Sequence, residues 1–510
     1  MKKFTRIKVI NGKEYIYEIT PYYDPETKKI RHKSRYLGKN VEGHPVRVRD
    51  KLPQRAYTYG EVLVFAEIIR ELGIKEILKE HLSKDELTLL LALVLNRATY
   101  PLALRHIGSW YEGTYLYERS LKITSQKLSR LLEKIGRSNL GAEFSKALLG
   151  RLKTRGALIY DITSLSSYSQ CIEILEWGYN RDGDELPQAN LSLVVDRAEG
   201  IPVMYEVYPG SIVDVSTLVN TVEVLRSYGI EDCMMVLDRG FFSRANICLL
   251  EERGIEYIIA ASLSLKSVRG AMSSAQKLLS DPNNMKLYNN EPLFVAEVEV
   301  EVGGLSVKGY CYYNPQRQKS EQERFYRRLY GIKEALEGRG LSRTSGNVKE
   351  LVEDIAGQYR KYLWVDIHNG GIRVRFRNKA ISQRVNRMGR FLILYRGDID
   401  WQECLAAYRG KELIEKGFDI LKNDLEIYTP NVQKEETLRG LLFAGFISLI
   451  LRMRLMKKMK ETGLSRHYSV TGLLTELSKL KMIELTNGQR ITTEQTKKHK
   501  EIFNKLNLCA

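Results

Sequence analysis

The chain has 510 residues, 43% of them hydrophobic and 28% charged, a composition that excludes a disordered or fibrous protein. At about 100–200 residues per domain, that length allows three or four structural units. Lys and Arg number 80 against 62 Asp and Glu, and the resulting formal charge of +18 points to a polyanionic partner, most simply nucleic acid.

The first 50 residues are predicted to form short strands. Asn11-Gly12 lies between β-prone runs, the strongest short-range hairpin signal, and Asp24 to Lys29 supplies a second turn. Residues 1–53 are expected to be a small β module with a charged face, ending in a polar linker. Residues 54–150 follow helical spacing. Gly73 interrupts the first apolar stretch, Pro101 stops the run from Leu87 to Leu95, and a serine opens SQKLSRLLEKIG in cap position. This helical region is either a binding module or a packing bundle.

At Gly156 the style changes. GALIYD, then two runs joined at Glu199-Gly200, then an amphipathic helix, DCMMVLDRG, a further helix and EYIIAASL give the order β-β-β-α-β-α-β. A three-strand meander with later parallel additions is the element order of a ribonuclease-H-like α/β fold, a mixed sheet with helices on its faces. Residues 151–278 are expected to form the first part of that core, 279–390 a β-rich insertion, and 391–456 the remainder. Within the insertion, Arg373, Arg375 and Arg377 share one face of a strand, and Trp364 is expected in its core. The apolar run Gly440–Leu451 has 12 residues and ends at Arg452; a membrane span needs about 20, so a buried core helix is expected. Residues 457–510 are predicted to be basic and helical.

Asp161 and Asp238 share a context, each closing a short apolar strand. A carboxylate at a strand end sits at the rim of a sheet, where it either points into a cleft or caps the next helix. Two of them on neighbouring central strands repel unless a cation or proton lies between, and oxygen donors without nearby His or Cys suit Mg²⁺ or Mn²⁺. The helix from Trp401 offers a third carboxylate: Tyr408, Lys411, Glu415 and Lys422, spaced 3, 4 and 7, fall roughly on one helical face. A solvated face with an i,i+4 Lys411/Glu415 pair explains those charges but not the tyrosine or the upstream aspartates. Asp196 and Asp214 fit capping positions better than metal sites. The seven histidines show no HExxH or close pairing, and the six cysteines, with no CxxC among them, offer no zinc motif and suit a reducing compartment.

These motifs resemble the DDE transposases of bacterial and archaeal insertion sequences, whose signature is Y-x₂-R-x₃-E-x₆-K. Tyr408, Glu415 and Lys422 match it, with Lys411 where the family usually has arginine; the charge is kept but a bidentate fork is lost. Asp161 in D-x-T and Asp238 in DRGF, with Asn246 downstream, resemble the family's two aspartate motifs. The stretch between them, and the long insertion before the glutamate, are similar too. The resemblance implies a transposase with Asp161, Asp238 and Glu415 as catalytic, metal-holding residues. It further implies two metal ions (Mg²⁺ or Mn²⁺) about 3.5–4 Å apart acting in cleavage and strand transfer. Tyr408, Lys411, Lys422 and Arg239 would contact DNA phosphates, and a base displaced from the DNA end could stack in the insertion.

The implied partners are double-stranded DNA, at transposon terminal repeats and at the target, and a second copy of the chain in the DNA complex. Sequence recognition is expected within residues 1–150. No secretory signal follows Met1, so the expected location is cytoplasmic, on the nucleoid when DNA is bound, with no membrane partner. Two alternatives stay open: a repurposed DNA-binding protein without catalysis, and a ribonuclease-H-like nuclease that only hydrolyses.

Overall fold

Asn11 and Gly12 turn the first hairpin because both take positive φ, 50° and 72°, as a type I′ turn requires. In the computed structural model, which describes residues 2–47, 52–152, 156–169, 171–178, 185–212, 214–231, 233–263, 265–338, 348–368, 371–427 and 432–508, this hairpin opens a four-stranded antiparallel sheet. Its strands are β1 (Phe4–Ile10), β2 (Lys13–Asp24), β3 (Lys29–Val41) and β4 (His44–Val46), in that spatial order. Among its described residues only Ile16, Ile19 and Gly38 are buried, so the sheet is almost without cover.

A strand follows where the helical region was expected to begin, β5 (Pro53–Thr58). Six helices come next: α1 (Gly60–Glu71), α2 (Ile74–Leu78), α3 (Lys84–Thr99), α4 (Ile107–Glu112), α5 (Ser125–Arg137) and α6 (Leu140–Leu152). Gly73 does break the first pair, at φ 64°. Ser83 and Glu86 close a capping box at α3. The cap of α5 is Thr124, whose hydroxyl accepts from the Lys127 amide, so Ser125 is the first helical residue and not the cap.

The stretch from Gly156 has the predicted order: β6 (Gly156–Ser166), β7 (Gln188–Asp196), β8 (Ile201–Pro209), α7 (Asp214–Ser227), β9 (Cys233–Leu237), α8 (Arg244–Glu252) and β10 (Glu256–Ala260). The strands β6, β7 and β8 form an antiparallel meander, and β9 and β10 add in parallel on the other side of β6.

Among the described residues, 279–390 hold five strands and, beside them, three α-helices that the β pattern did not announce. After α9 (Lys266–Ser274), the strands β11 (Met285–Tyr288), β12 (Glu291–Val302) and β13 (Leu305–Tyr313) extend the central sheet itself. What projects beyond them is α10 (Pro315–Glu337), α11 (Val348–Ala356), the hairpin β14 (Leu363–His368) with β15 (Gly371–Phe376), and α12 (Asn378–Val385). The helical signal was present: Asn314 caps α10, Pro315 opens it, and Phe325, Leu329, Ile332 and Leu336 repeat at helical spacing into a core of their own. The chain then re-enters the sheet as β16 (Arg390–Arg396), giving nine strands in the order β11-β12-β13-β16-β10-β9-β6-β7-β8.

The remaining elements are α13 (Trp401–Arg409), α14 (Glu412–Asp419) continued by a π-helical turn Ile420–Asp424, α15 (Glu435–Glu461), α16 (Val470–Leu477), β17 (Lys481–Leu485), β18 (Arg490–Thr492) and α17 (Lys497–Leu506). The tail is therefore not wholly helical, because β17 pairs with β5 far back in the chain, Met482 opposite Tyr57.

Helix α15 is the axis of the molecule. Gly440 to Leu451 are all buried, as the apolar run predicted, and the helices α3 and α5 pack on it in one core shared with the sheet. Two glycines let α5 and α15 touch backbone to backbone. A Cβ on Gly136 would lie 1.8 Å from the Glu436 carbonyl oxygen, and one on Gly440 2.1 Å from that of Leu132. Phe443 and Phe446 fill the space beside Phe144, with ring centroids 5.5 and 6.3 Å away. Burying such a side chain contributes about 1.5–3 kcal/mol. Among the described residues, no single helix is long and apolar enough to cross a bilayer.

Candidate active site

The parallel pairing of β6 with β9 sets Tyr160 opposite Leu237. The next residues on the two strands, Asp161 and Asp238, therefore stand side by side where the sheet opens. Asp161 is half-buried, and its Oδ1 accepts from the Ile162 amide at 2.8 Å. Asp238 ends its strand and caps the short turn Arg239–Phe241, accepting from the Gly240 amide at 3.3 Å. The buried Asn246 fixes that turn by donating from Nδ2 to the Phe241 carbonyl at 2.5 Å.

Glu415 arrives from across the sheet. Helix α13 packs on β9, β10 and β16, and α14 on β6 and β7, so the junction between them crosses above the two aspartates' strands. The sequence suggested one continuous helix here; the helix breaks at Gly410-Lys411. Both residues keep right-handed backbone angles, but the Lys411 amide bonds to the Tyr408 carbonyl three residues back, one residue tighter than in an α-helix.

The break aims Lys411 at the carboxylates. Its Nζ donates to Asp238 Oδ1 at 2.5 Å and lies 2.9 Å from Glu415 Oε1. Burial pushes the Asp238 carboxyl up, but the Lys411 ammonium and the Arg239 and Gly240 amides outweigh it and hold the group below the usual carboxylate range. For Lys411 burial opposes the charge, and the two carboxylates overcome it and raise the ammonium above its ordinary value. Burial raises the Tyr408 phenol.

Two of the three predicted carboxylates thus share one cation, and the third is neighbour to one of them by strand register. Oxygen donors of this kind fit a hard divalent ion. As the side chains stand, no group of three His, Cys, Asp or Glu among the described residues is drawn close enough to hold a metal, and Lys411 lies where the charge of an ion would be needed.

Beside Asp238 opens a cleft of about 380 Å³, lined from the ends of β9 and β10, the start of α10, β16 and α13. Its walls carry five cations, Arg239, Arg317, Arg390, Arg409 and Lys411, against the single carboxylate Asp238, and Tyr408 lines it as well. Arg317 lies over Phe391, Arg390 over Tyr313 and Arg409 over Tyr288, at 5.2, 5.3 and 4.7 Å, so aromatic faces hold these guanidinium groups in place. Sequence reasoning missed these three arginines, since their common cleft depends on the insertion folding back; only Arg409, adjacent to Tyr408, carried a local hint. Lys422 is half-buried on the π-helical turn, seven residues past Glu415.

Asp196 ends β7 and closes the turn into β8, accepting from the Ala198 and Glu199 amides at 2.8 and 2.9 Å. The Asp214 side chain lies outside the described residues. Trp364, expected in the core of the insertion, is 54% exposed, with the Arg377 guanidinium 3.7 Å above its ring.

The family model described as the transposase DDE domain matches residues 153–451, more than half of the chain. The chain belongs to that family. The matched span runs from β6 to the buried middle of α15 and contains Asp161, Asp238 and Glu415. Among solved structures, a piggyBac transposase synaptic complex with hairpin DNA is similar at TM-score 0.34 and 11% identity, over 83% of this chain and 82% of that one. The Drosophila P element transposase strand transfer complex follows at TM-score 0.21 and 14% identity, over 80% and 89%. No curated protein matches the chain.

Proposed function

We propose that this DDE-family protein is an active insertion-sequence transposase that cuts DNA at the ends of its element and joins those ends to target DNA. The five strands β8-β7-β6-β9-β10 are read as a ribonuclease-H-like core, with Asp161, Asp238 and Glu415 as the residues that hold two divalent ions, Mg²⁺ or Mn²⁺. The observation that carries this reading is the double engagement of Lys411, which draws together carboxylates from a strand end and a helix remote in sequence.

When bound, divalent ions supply positive charge against the phosphorus centre that side chains alone cannot match. The protein's own residues do the rest. Asp238, kept ionised by its neighbours, offers charged oxygens across the working pH range. With ions held by the carboxylates, Lys411 would be released from them and would be placed to hold a phosphate of the DNA end. Tyr408, Arg239 and Lys422, joined by Arg317, Arg390 and Arg409, hold the phosphates on either side of the scissile bond. Such contacts orient the strand and make binding salt-dependent without reading sequence. One site serves both steps, because water is the nucleophile in cleavage and a DNA 3′-hydroxyl in joining.

The test is cleavage of a labelled duplex carrying the element's terminal repeat, with Mg²⁺, for wild type beside Glu415→Gln. Nicking at the repeat boundary that disappears in the variant while DNA binding persists is the expected result. Specific binding without cleavage by either protein would favour the catalytically silent alternative. Cleavage without any joined product would favour the plain nuclease.

A further inference from the structure

The strand register of the N-terminal sheet sorts its side chains sharply. Residues paired across strands share a face, so Thr5 with Glu18, Glu18 with Arg35, Tyr22 with Arg31 and Asp24 with Lys29 define one side. Every acidic residue of the three long strands, Glu14, Glu18 and Asp24, lies there, and each has a partner. Lys3 is 3.1 Å from Glu18, Arg31 is 2.9 Å from Asp24, and Asn40 donates to Glu14 at 2.6 Å.

The other side has no carboxylate. Arg6 and Lys8 of β1, Lys13 of β2 and Lys39 of β3 lie on it, by the pairs Arg6 with Tyr17, Lys8 with Tyr15, Ile10 with Lys13 and Tyr15 with Lys39. Among these cations sit Tyr15, Tyr17 and Tyr36. Tyr36 is 5.4 Å from Tyr17 and 6.1 Å from Tyr15, ring to ring, and Lys8 Nζ lies 4.5 Å over the Tyr17 ring. Tyr36 remains 42% exposed, Lys13 and Lys39 are exposed, and the sheet has almost no cover from the rest of the chain.

We propose that this carboxylate-free face of the N-terminal sheet binds the sugar–phosphate backbone of duplex DNA. Four cations with no acid among them complement a polyanion. The rings of Tyr15, Tyr17 and Tyr36 are engaged with one another and with Lys8, so beside the cations these three offer hydroxyls, which contact phosphate; the exposed rings of Tyr23 and Phe4 lie toward the far end of the same face. The choice of duplex rests on the transposase reading; the surface itself does not depend on the catalytic carboxylates.

The experiment compares three full-length proteins with wild type: Lys8→Ala/Lys13→Ala/Lys39→Ala on the proposed face, the same three positions changed to Arg, and Lys29→Ala/Lys33→Ala/Arg35→Ala on the opposite face. Fluorescence anisotropy measures binding to a short random-sequence duplex, and to one of its single strands, across a salt series. The first variant is expected to bind the duplex about tenfold or more weakly, with the slope of log K against log salt shallower by about 2 to 3. The arginine variant should bind as wild type does, which separates lost charge from lost folding, and the opposite-face variant should stay within about twofold. Equal losses from both faces, an unchanged salt slope, or a loss confined to the single strand would overturn the proposal. Cleavage of the terminal repeat is scored separately in each protein. Wild type that binds through this face yet never cuts would sink the catalytic reading and leave the surface standing.

Discussion

Replacing Lys411 with methionine removes the ammonium that lies between Asp238 and Glu415 while keeping most of the side chain's volume. A hydrogen bond to a charged group contributes about 1.5–3 kcal/mol when sheltered from water. Here Asp238 is 36% and Glu415 54% exposed, so solvent screens both contacts, and together they amount to about 1.5 kcal/mol. Because the ammonium and a divalent ion compete for the same oxygens, that energy opposes ion binding in the DNA-free protein. Lys411→Met should therefore bind Mn²⁺ about tenfold more tightly than wild type, about 1.4 kcal/mol. Titration of free Mn²⁺ by electron paramagnetic resonance measures it directly, with Glu415→Gln added to Lys411→Met as the control that abolishes the gain. Unchanged or weaker Mn²⁺ binding by the single variant would refute the competition and, with it, the assignment of these two carboxylates to one ion site. The same variant should lose DNA cleavage despite its better ion binding, since Lys411 would no longer be there to take a phosphate.

Asp238 is held below the usual carboxylate range, so it contributes stability above the unfolded-state value near pH 4, and that contribution is lost as pH falls through its folded value. Asp238→Asn should flatten that part of the acid limb in a pH series of thermal melts; an unchanged limb would count against the Lys411 contact. At the α5–α15 crossing, Gly136→Ala or Gly440→Ala forces backbones apart and should cost about 1–3 kcal/mol or more, seen as a lower melting temperature. Arg452 is 4% exposed and donates to the Ala98 carbonyl at 2.8 Å and to Asp424 at 2.9 Å. Arg452→Ala should destabilise by about 3 kcal/mol, a marked drop in the denaturant midpoint, because it strands partners in the interior. Trp364→Ala should change stability by less than about 1 kcal/mol, as expected for an exposed ring, and a large loss would mean the ring is covered.

The first part of the family domain, β6 to β10, was legible because its signals are local. ALIY before Asp161 and MMVL before Asp238 are short apolar strands that end at a charge, and parallel neighbours place such ends together. The Tyr408–Glu415 spacing was legible for the same reason, yet its main consequence was not. Whether Lys411 would face a phosphate or the carboxylates depends on the tight turn at Gly410, which a periodicity argument smooths over. Long-range pairing hid the most. The strands β11–β13 alternate as any β insertion would, and nothing in them says that they continue a sheet begun 129 residues earlier (β6 opens at Gly156, β11 at Met285) rather than form their own. The charged stretch of α10 lacks a strong apolar run, so its four-residue pattern was overlooked, and Trp364 was assigned to a core by residue type alone. Residues 54–150 read as a module of their own, whereas α3 and α5 pack on α15, more than 300 residues further on.

That packing limits how the molecule can be taken apart. A helix that is apolar on all sides, as α15 is from Gly440 to Leu451, has no solvent-tolerant face to fall back on. Cutting the chain at residue 150 would strip α3 and α5 from it, remove β5 from beside β17 and leave the nine-stranded sheet attached to an uncovered apolar rod. Such a fragment would report aggregation, whatever its residues do to DNA. The chain is better regarded as a clasp, fastened where β5 meets β17, with a single detachable piece. Removal of residues 1–47 takes away the lightly covered sheet and leaves the clasp closed, so a truncation meant to divide DNA binding from chemistry belongs at that seam.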